Sequence, residues 1–274
     1  MTPRPSRPTR VLSTALAAGV LLGTAACSQG GGAKAAGDAG VTASPAARKQ
    51  PSSSPAAVLT EAGARTALIT EADIEDDWTQ VKDSEAENWN DSLLVGTVDV
   101  SQFLTGKSAA ADCQRLTDSL FDEDLLGKPS GASALRGFTQ DDSRLLYQVA
   151  AYDRGALQDS LDRMAKLPSE CDQFTLDSGG RKRTVQVVET SLPSVGDARQ
   201  GLRVTVRGST GGQDATLTLD VAVVRVGDNA ITVTAGGLAG GEEDSVKAAV
   251  QQGTPRLEDV LAGKSPAPTP SGVD

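Results

Sequence analysis

Residues 202–206, Leu202-Arg203-Val204-Thr205-Val206, and 217–223, Leu217-Thr218-Leu219-Asp220-Val221-Ala222-Val223, place an apolar side chain at every second position. Successive side chains of a strand point to opposite faces, so this period of two predicts half-buried antiparallel strands. The pattern reaches back to Val185 and Val187 and forward to Ile231 and Val233. Gly211-Gly212 and Gly227-Asp228-Asn229 stand between the runs, where hairpin turns call for positive φ. Four consecutive strands are expected. The apolar phase slips between Val223 and Val224, which signals either a bulge or a stretch covered on both faces.

Upstream, Leu145, Leu146, Tyr147, Val149 and Ala151 make 143–152 a buried strand. Leu157, Leu161 and Met164 then share one stripe of a helix over 153–167, with Pro168 as its stop. Cys113, Leu116 and Leu120 predict another helix from about 108 to 120. Thr70-Glu71-Ala72-Asp73 has the form of a capping box, opening a short helix that breaks near Trp78. A last helix starts near Glu242 with Val246 and Val250 inward, is interrupted at Gly253 and Pro255, and resumes to Leu261. Together these elements predict one α+β domain over 58–262. It has an antiparallel β-sheet of about five strands, helices packed mainly on one face, and one disulfide.

The N-terminus gives an address. Arg4, Arg7 and Arg10 precede an apolar run from Val11 to Gly23, and Thr24-Ala25-Ala26 leads to Cys27. Basic residues, a short apolar core and small residues before a break make 1–26 a signal peptide, and the run is too short for a stable membrane span. A cysteine at that place resembles the lipobox of bacterial lipoproteins, so Cys27 is the expected lipidation site, bearing diacylglycerol and palmitate. An uncleaved anchor, or ordinary secretion with a spare Cys27 thiol, are the competing readings. Residues 27–57, rich in Gly, Ala, Ser and Pro, cannot bury enough apolar surface to fold and predict a flexible tether. Residues 263–274, with Pro266, Pro268 and Pro270, predict a disordered tail.

Charge narrows the partners. The chain has 26 Lys+Arg against 36 Asp+Glu and a net charge of −10; loss of the three N-terminal arginines leaves 23 basic residues and −13. So acidic a chain is repelled by nucleic acid and by anionic headgroups, and no nucleic acid partner is expected. The membrane partner is reached through the lipid, on the extracytoplasmic face. With Cys27 acylated, Cys113 and Cys171 remain as one pair in an oxidising compartment, where a structural disulfide is the ordinary outcome. A redox-active pair would need the short spacing and the cationic neighbour that these cysteines lack.

The sequence has no histidine. That removes the commonest general base, the Ser-His-Asp and Cys-His nucleophile systems, and His-ligated zinc. Carboxylate pairs drawn from Asp73, Glu75, Asp76 and Asp77, or from Asp141 and Asp142, could serve glycoside hydrolysis by type, but adjacent acids ordinarily form solvated turns. Calcium binding at Asp73 to Asp77 lacks the glycine and terminal glutamate of an EF-hand loop. No catalytic residue, metal or cofactor is assigned, and the chain is not expected to be an enzyme. Trp78 and Trp89 stand out because aromatic residues are only 3% of the chain. They either plug the core or form a stacking surface for a ring-containing ligand. Arg181-Lys182-Arg183, after Gly179-Gly180, is expected in a solvated turn.

The order of features carries a resemblance. The element from Leu68 to Trp78, Cys113, the strand and helix from Tyr147 to Leu167, Cys171 and four antiparallel strands together resemble the PknH-like extracellular sensor domains of actinobacteria, found on receptor kinases and as free-standing lipoproteins. The resemblance implies an antiparallel sheet whose helices leave a cleft for a ligand, here a cell-wall or protein ligand not yet identified. This chain departs from the kinase sensors in having cysteines for one disulfide instead of two, and it has no kinase domain. The expected function is a membrane-anchored, non-catalytic, sensor-like binding domain of the cell envelope. The alternative is a structural or protein-interaction lipoprotein without a small-molecule ligand.

Overall fold

The alternation of residues 185–233 is realised in a larger sheet than the sequence predicts. A computed structural model describes residues 58–267, apart from 75–76, 92, 96–97 and 211. The assignments to 1–26, Cys27 and 27–57, and most of the 263–274 tail, lie outside the described residues.

Glu61–Thr66 (α1) opens the domain, capped by the Thr60 hydroxyl, which accepts from the Gly63 N–H at 3.0 Å. A single 3-10 turn, Glu71–Asp73, follows. The Asp73 carboxylate reaches back to the Thr70 N–H at 2.7 Å and its hydroxyl at 2.9 Å, so the predicted cap closes a turn instead of starting an α-helix. Next come Thr79–Gln80 (β1), Asp83–Ala86 (α2), a small ribbon of Leu94–Val95 (β2) and Val98–Asp99 (β3), Ser101–Leu104 (α3) and Ala111–Ser119 (α4). The rest runs Ser133–Gln140 (β4), Ser143–Ala151 (β5), Arg154–Glu170 (α5), Gln173–Ser178 (β6), Arg181–Thr190 (β7), Ala198–Thr210 (β8), Gln213–Val226 (β9), Asn229–Gly237 (β10) and Glu243–Leu261 (α6).

Eight strands form one antiparallel sheet in the order β1-β4-β5-β10-β9-β8-β7-β6. The expected five are its centre. The three unforeseen strands are β1, β4 and β6, and two of them are edges. Helices cover both faces, not mainly one. Leu217, Leu219, Val221 and Val223 of β9 belong to one core with α4, α5 and the segment Leu120 to Leu126; Ala222 and Val224 belong to a second core with α1 and α6. The β8–β9 and β9–β10 registers run through this point without a bulge. The slip at Val223-Val224 therefore reports two-sided burial, the pattern of a strand enclosed by helices.

Pro168, expected as a helix stop, and Pro255, expected as an interruption, both lie inside helices. Pro168 is within α5, which ends at Glu170 with Cys171 as its cap. Pro255 is within α6, which is continuous. A proline removes one N–H and the bond it would make to the carbonyl four residues back. Pro255 and Gln251 lie on the exposed side, open to solvent, while on the buried side the Thr254 hydroxyl donates to the Val250 carbonyl at 2.7 Å.

Cys113 and Cys171 are joined, with Cα atoms 5.6 Å apart and a sequence separation of 58. The bond ties the first turn of α4 to the C-terminal end of α5. None of the described helices is long and apolar enough to cross a membrane.

Candidate functional site

A glycine in β4 makes room for the site. Any Cβ at Gly137 would lie 2.6 Å from the Ala86 Cβ and 2.7 Å from the Trp89 ring, so only glycine lets α2 and the Trp89 indole settle on the sheet at this point. Trp89 is buried there and meets Phe121 edge to face, with ring centroids 6.1 Å apart and an interplanar angle of 84°. Phe121 follows α4 with φ at +58°, the left-handed region that a bulky side chain avoids. Such strain persists only where the surroundings impose it, and it gathers at binding sites.

The two rings floor a cleft of about 210 Å³ together with Leu93, Leu104 and Leu120, and Asn90, Thr117 and Asp118 stand among its polar lining. The polar groups are already knitted: the Asn90 amide donates to Asp122 at 2.9 Å, and the Gln114 amide donates to Asp118 at 2.7 Å and to the Gly106 carbonyl at 2.9 Å. Their carboxylates keep free lone pairs, so an apolar, aromatic floor is joined to hydrogen-bond acceptors. That combination suits a ring-bearing ligand with hydroxyl or amide donors. α4 is one wall, and the disulfide fixes its position.

Asp99 holds the opposite wall. Its carboxylate accepts from the Ser101 hydroxyl at 2.6 Å, and from the Leu93 and Ser101 N–H groups at 3.1 Å each. Burial alone would raise its pKa; the hydrogen bonds from Ser101, Leu93 and Gln102 outweigh it and hold the carboxyl below the usual range. The ionised form is thus favoured by folding. Its contribution to stability is full above the unfolded pKa, near about 4, and is lost as pH falls through the lower folded value. Acidification below about pH 4 is expected to loosen the wall around Trp89, seen as a red shift of tryptophan emission before global unfolding. The component should vanish in Asp99→Ala; an unchanged acid response in that variant would remove Asp99 from this role.

Trp78 and Trp89 are not brought together. Trp78 is buried on the other face of the sheet, in the core of α1 and α6, and its indole N–H donates to the Ser245 hydroxyl at 3.2 Å. Among the acids considered, Asp141 and Asp142 form the exposed β4–β5 turn, and Asp73 lies 3.6 Å from Arg256. Neither Asp141, Asp142 nor Asp73 lines the cleft. Among the described residues no group of three or more His, Cys, Asp or Glu could hold a metal ion.

Arg183 corrects the expectation of a solvated basic turn. Arg181 and Lys182 are exposed, but Arg183 is buried, its guanidinium 5.4 Å from the centre of the Phe103 ring and donating to the Thr105 carbonyl at 3.1 Å. Burial, with the nearby Arg181, lowers its pKa. It braces the α3 side of the cleft from beneath. Its burial has no local signal, because Phe103 is remote in sequence.

No family model matches the chain, and no curated protein does. Solved structures similar to it include two mycobacterial ones. The extracellular domain of PknH from Mycobacterium tuberculosis is 12% identical, over 76% of this chain and 98% of that one, with a TM-score of 0.45. An uncharacterized Mycobacterium smegmatis protein, an Rv0999 ortholog, is 16% identical over 69% and 86% of the two chains, with a TM-score of 0.31.

Proposed function

We propose that the chain is a non-catalytic binding domain, anchored outside the membrane through lipid on Cys27, with the Trp89 cleft as its ligand site. The observation that carries the reading is Phe121, its backbone at positive φ and its ring edge-on to Trp89, flooring a cleft with acceptors at its rim. The absence of histidine from the sequence supports binding over hydrolysis.

Two experiments test the parts separately. Cys27→Ser is expected to lose metabolic labelling by fatty acid and to appear in the medium; retention in membranes with unchanged processing would overturn the anchor. For the cleft, the purified chain is screened by thermal shift against muropeptides and wall sugars, since a ligand that binds only the folded state raises the melting temperature with its concentration. A hit should weaken in Trp89→Phe and in the rim variant Asp118→Asn, both of which keep the packing. A hit indifferent to both places the site elsewhere, and no hit in the panel favours the structural or protein-interaction alternative.

A further inference from the structure

α4 also borders a second cavity, of about 480 Å³, lying along α5 and the segment before β4. Arg115, Lys128 and Arg163 line it with Tyr152, Asp153 and Asp159. Three cations at one cavity stand out in a chain with a net charge of −10. Neither Arg115 nor Lys128 has an ion-pair partner among the described residues. Arg115 lies against Gly127, where a Cβ would come 3.4 Å from its Nη2, and Gly127 precedes Lys128. Arg163 is half-buried and, among the described residues, donates to the Leu125 carbonyl alone, at 3.4 Å. Burial lowers its pKa, and Arg115 lowers it further against the opposing effect of Asp112. Both guanidiniums line the same cavity, where a single anion can meet the two of them.

Tyr152 supplies the second, independent sign. It is 6% exposed and its hydroxyl has no hydrogen-bond partner among the described residues. Tyr152 belongs to a cavity lining, so its unpaired oxygen is available to a partner that arrives from outside the chain. Burial, helped by Asp124 and Glu123, pushes the phenol pKa up, which keeps its proton on and makes it a donor.

We infer that this cavity binds a phosphorylated polyol, its phosphate held by Arg115, Lys128, Arg163 and the Tyr152 hydroxyl and its hydroxyls donating to Asp153 and Asp159. Guanidinium groups match phosphate oxygens in pairs, whereas the exposed carboxylates repel a bare polyanion and accept from neutral hydroxyls. The site is separate from the Trp89 cleft and does not depend on the lipid anchor.

Calorimetry on the purified full chain tests it with glycerol 3-phosphate, glucose 1-phosphate, inorganic phosphate and unphosphorylated glycerol. Saturable binding of the two sugar or polyol phosphates is expected, weakened at least roughly tenfold in Arg115→Gln with Lys128→Gln, since each lost charge-assisted contact is a large part of such an affinity. Tyr152→Phe should weaken binding severalfold while the unliganded melting temperature holds or rises, an outcome that a structural tyrosine would not give. Cosedimentation with phosphatidylglycerol vesicles, read as the difference between wild type and the Arg115→Gln, Lys128→Gln variant, distinguishes a lipid headgroup from a soluble phosphate as the source. The inference is overturned if neither soluble phosphates nor vesicles bind in a way the double variant weakens, or if inorganic phosphate or glycerol binds as well as glycerol 3-phosphate.

Discussion

Replacing both Cys113 and Cys171 with alanine is expected to lower the melting temperature by about 10 °C and to cost about 4 kcal/mol, the chain-entropy value for closing a loop of this length. Differential scanning calorimetry of the double variant beside wild type measures it. The single variant Cys113→Ala should fare worse than the double during export, because a lone Cys171 thiol can mispair. Ligand binding at α4 should fall further than stability does, since the helix is a wall of both cavities and the disulfide is its covalent tie to α5. Two thiols titrating in the native, unreduced protein would refute the bridge.

Gly253→Ala is expected to destabilise the fold even though alanine is the better helix residue by about 1 kcal/mol. Gly253 is buried in α6 directly over Tyr147 of β5, and a Cβ there would stand 2.0 Å from the tyrosine oxygen and 2.8 Å from Cζ. Tyr147 is fully enclosed and cannot turn away, so overpacking should dominate, at about 3 kcal/mol. The double variant with Tyr147→Phe removes the nearest clashing atom and should recover part of the loss. Tyr147→Phe alone should be near neutral, because its hydroxyl is buried without a partner. Urea titration of the four proteins gives the coupling. Additive losses would mean that the helix moves off the sheet instead of clashing with it.

The contrast between what could and could not be read from the sequence follows from the range of each signal. β7 to β10 and β5 announce themselves because each keeps apolar residues in phase along its own length. β4 does not: Arg136 and Gly137 break its pattern, and Gly137 is explained only by Trp89, which comes from another segment. β6 and β1 are edges, too short and polar to stand out. Two-sided covering was half visible in the Val223-Val224 doublet, but which helices do the covering depends on tertiary packing. The disulfide was legible because, with Cys27 read as the acylated residue, Cys113 and Cys171 were the one pair left. Trp89 was legible as a scarce aromatic. Its partner Phe121 and the buried Arg183 over Phe103 were not, since nothing local marks a contact between such distant positions.

The central place of β10 has a temporal consequence. It pairs with β5 on one side, joining 143–151 to 229–237, and with β9 on the other. The N-terminal strands β1, β4 and β5 therefore cannot join the C-terminal half of the sheet until the last strand is available. For a chain emerging from a ribosome or a translocation pore, N-terminus first, both cysteines are delivered before the piece that locks the sheet. The interval is one in which half-built edges lie open and thiols can pair wrongly, and such long-range pairings are slow to form. Folding of this domain is thus paced by its closing strand, and truncation before residue 229 should leave two unjoined halves.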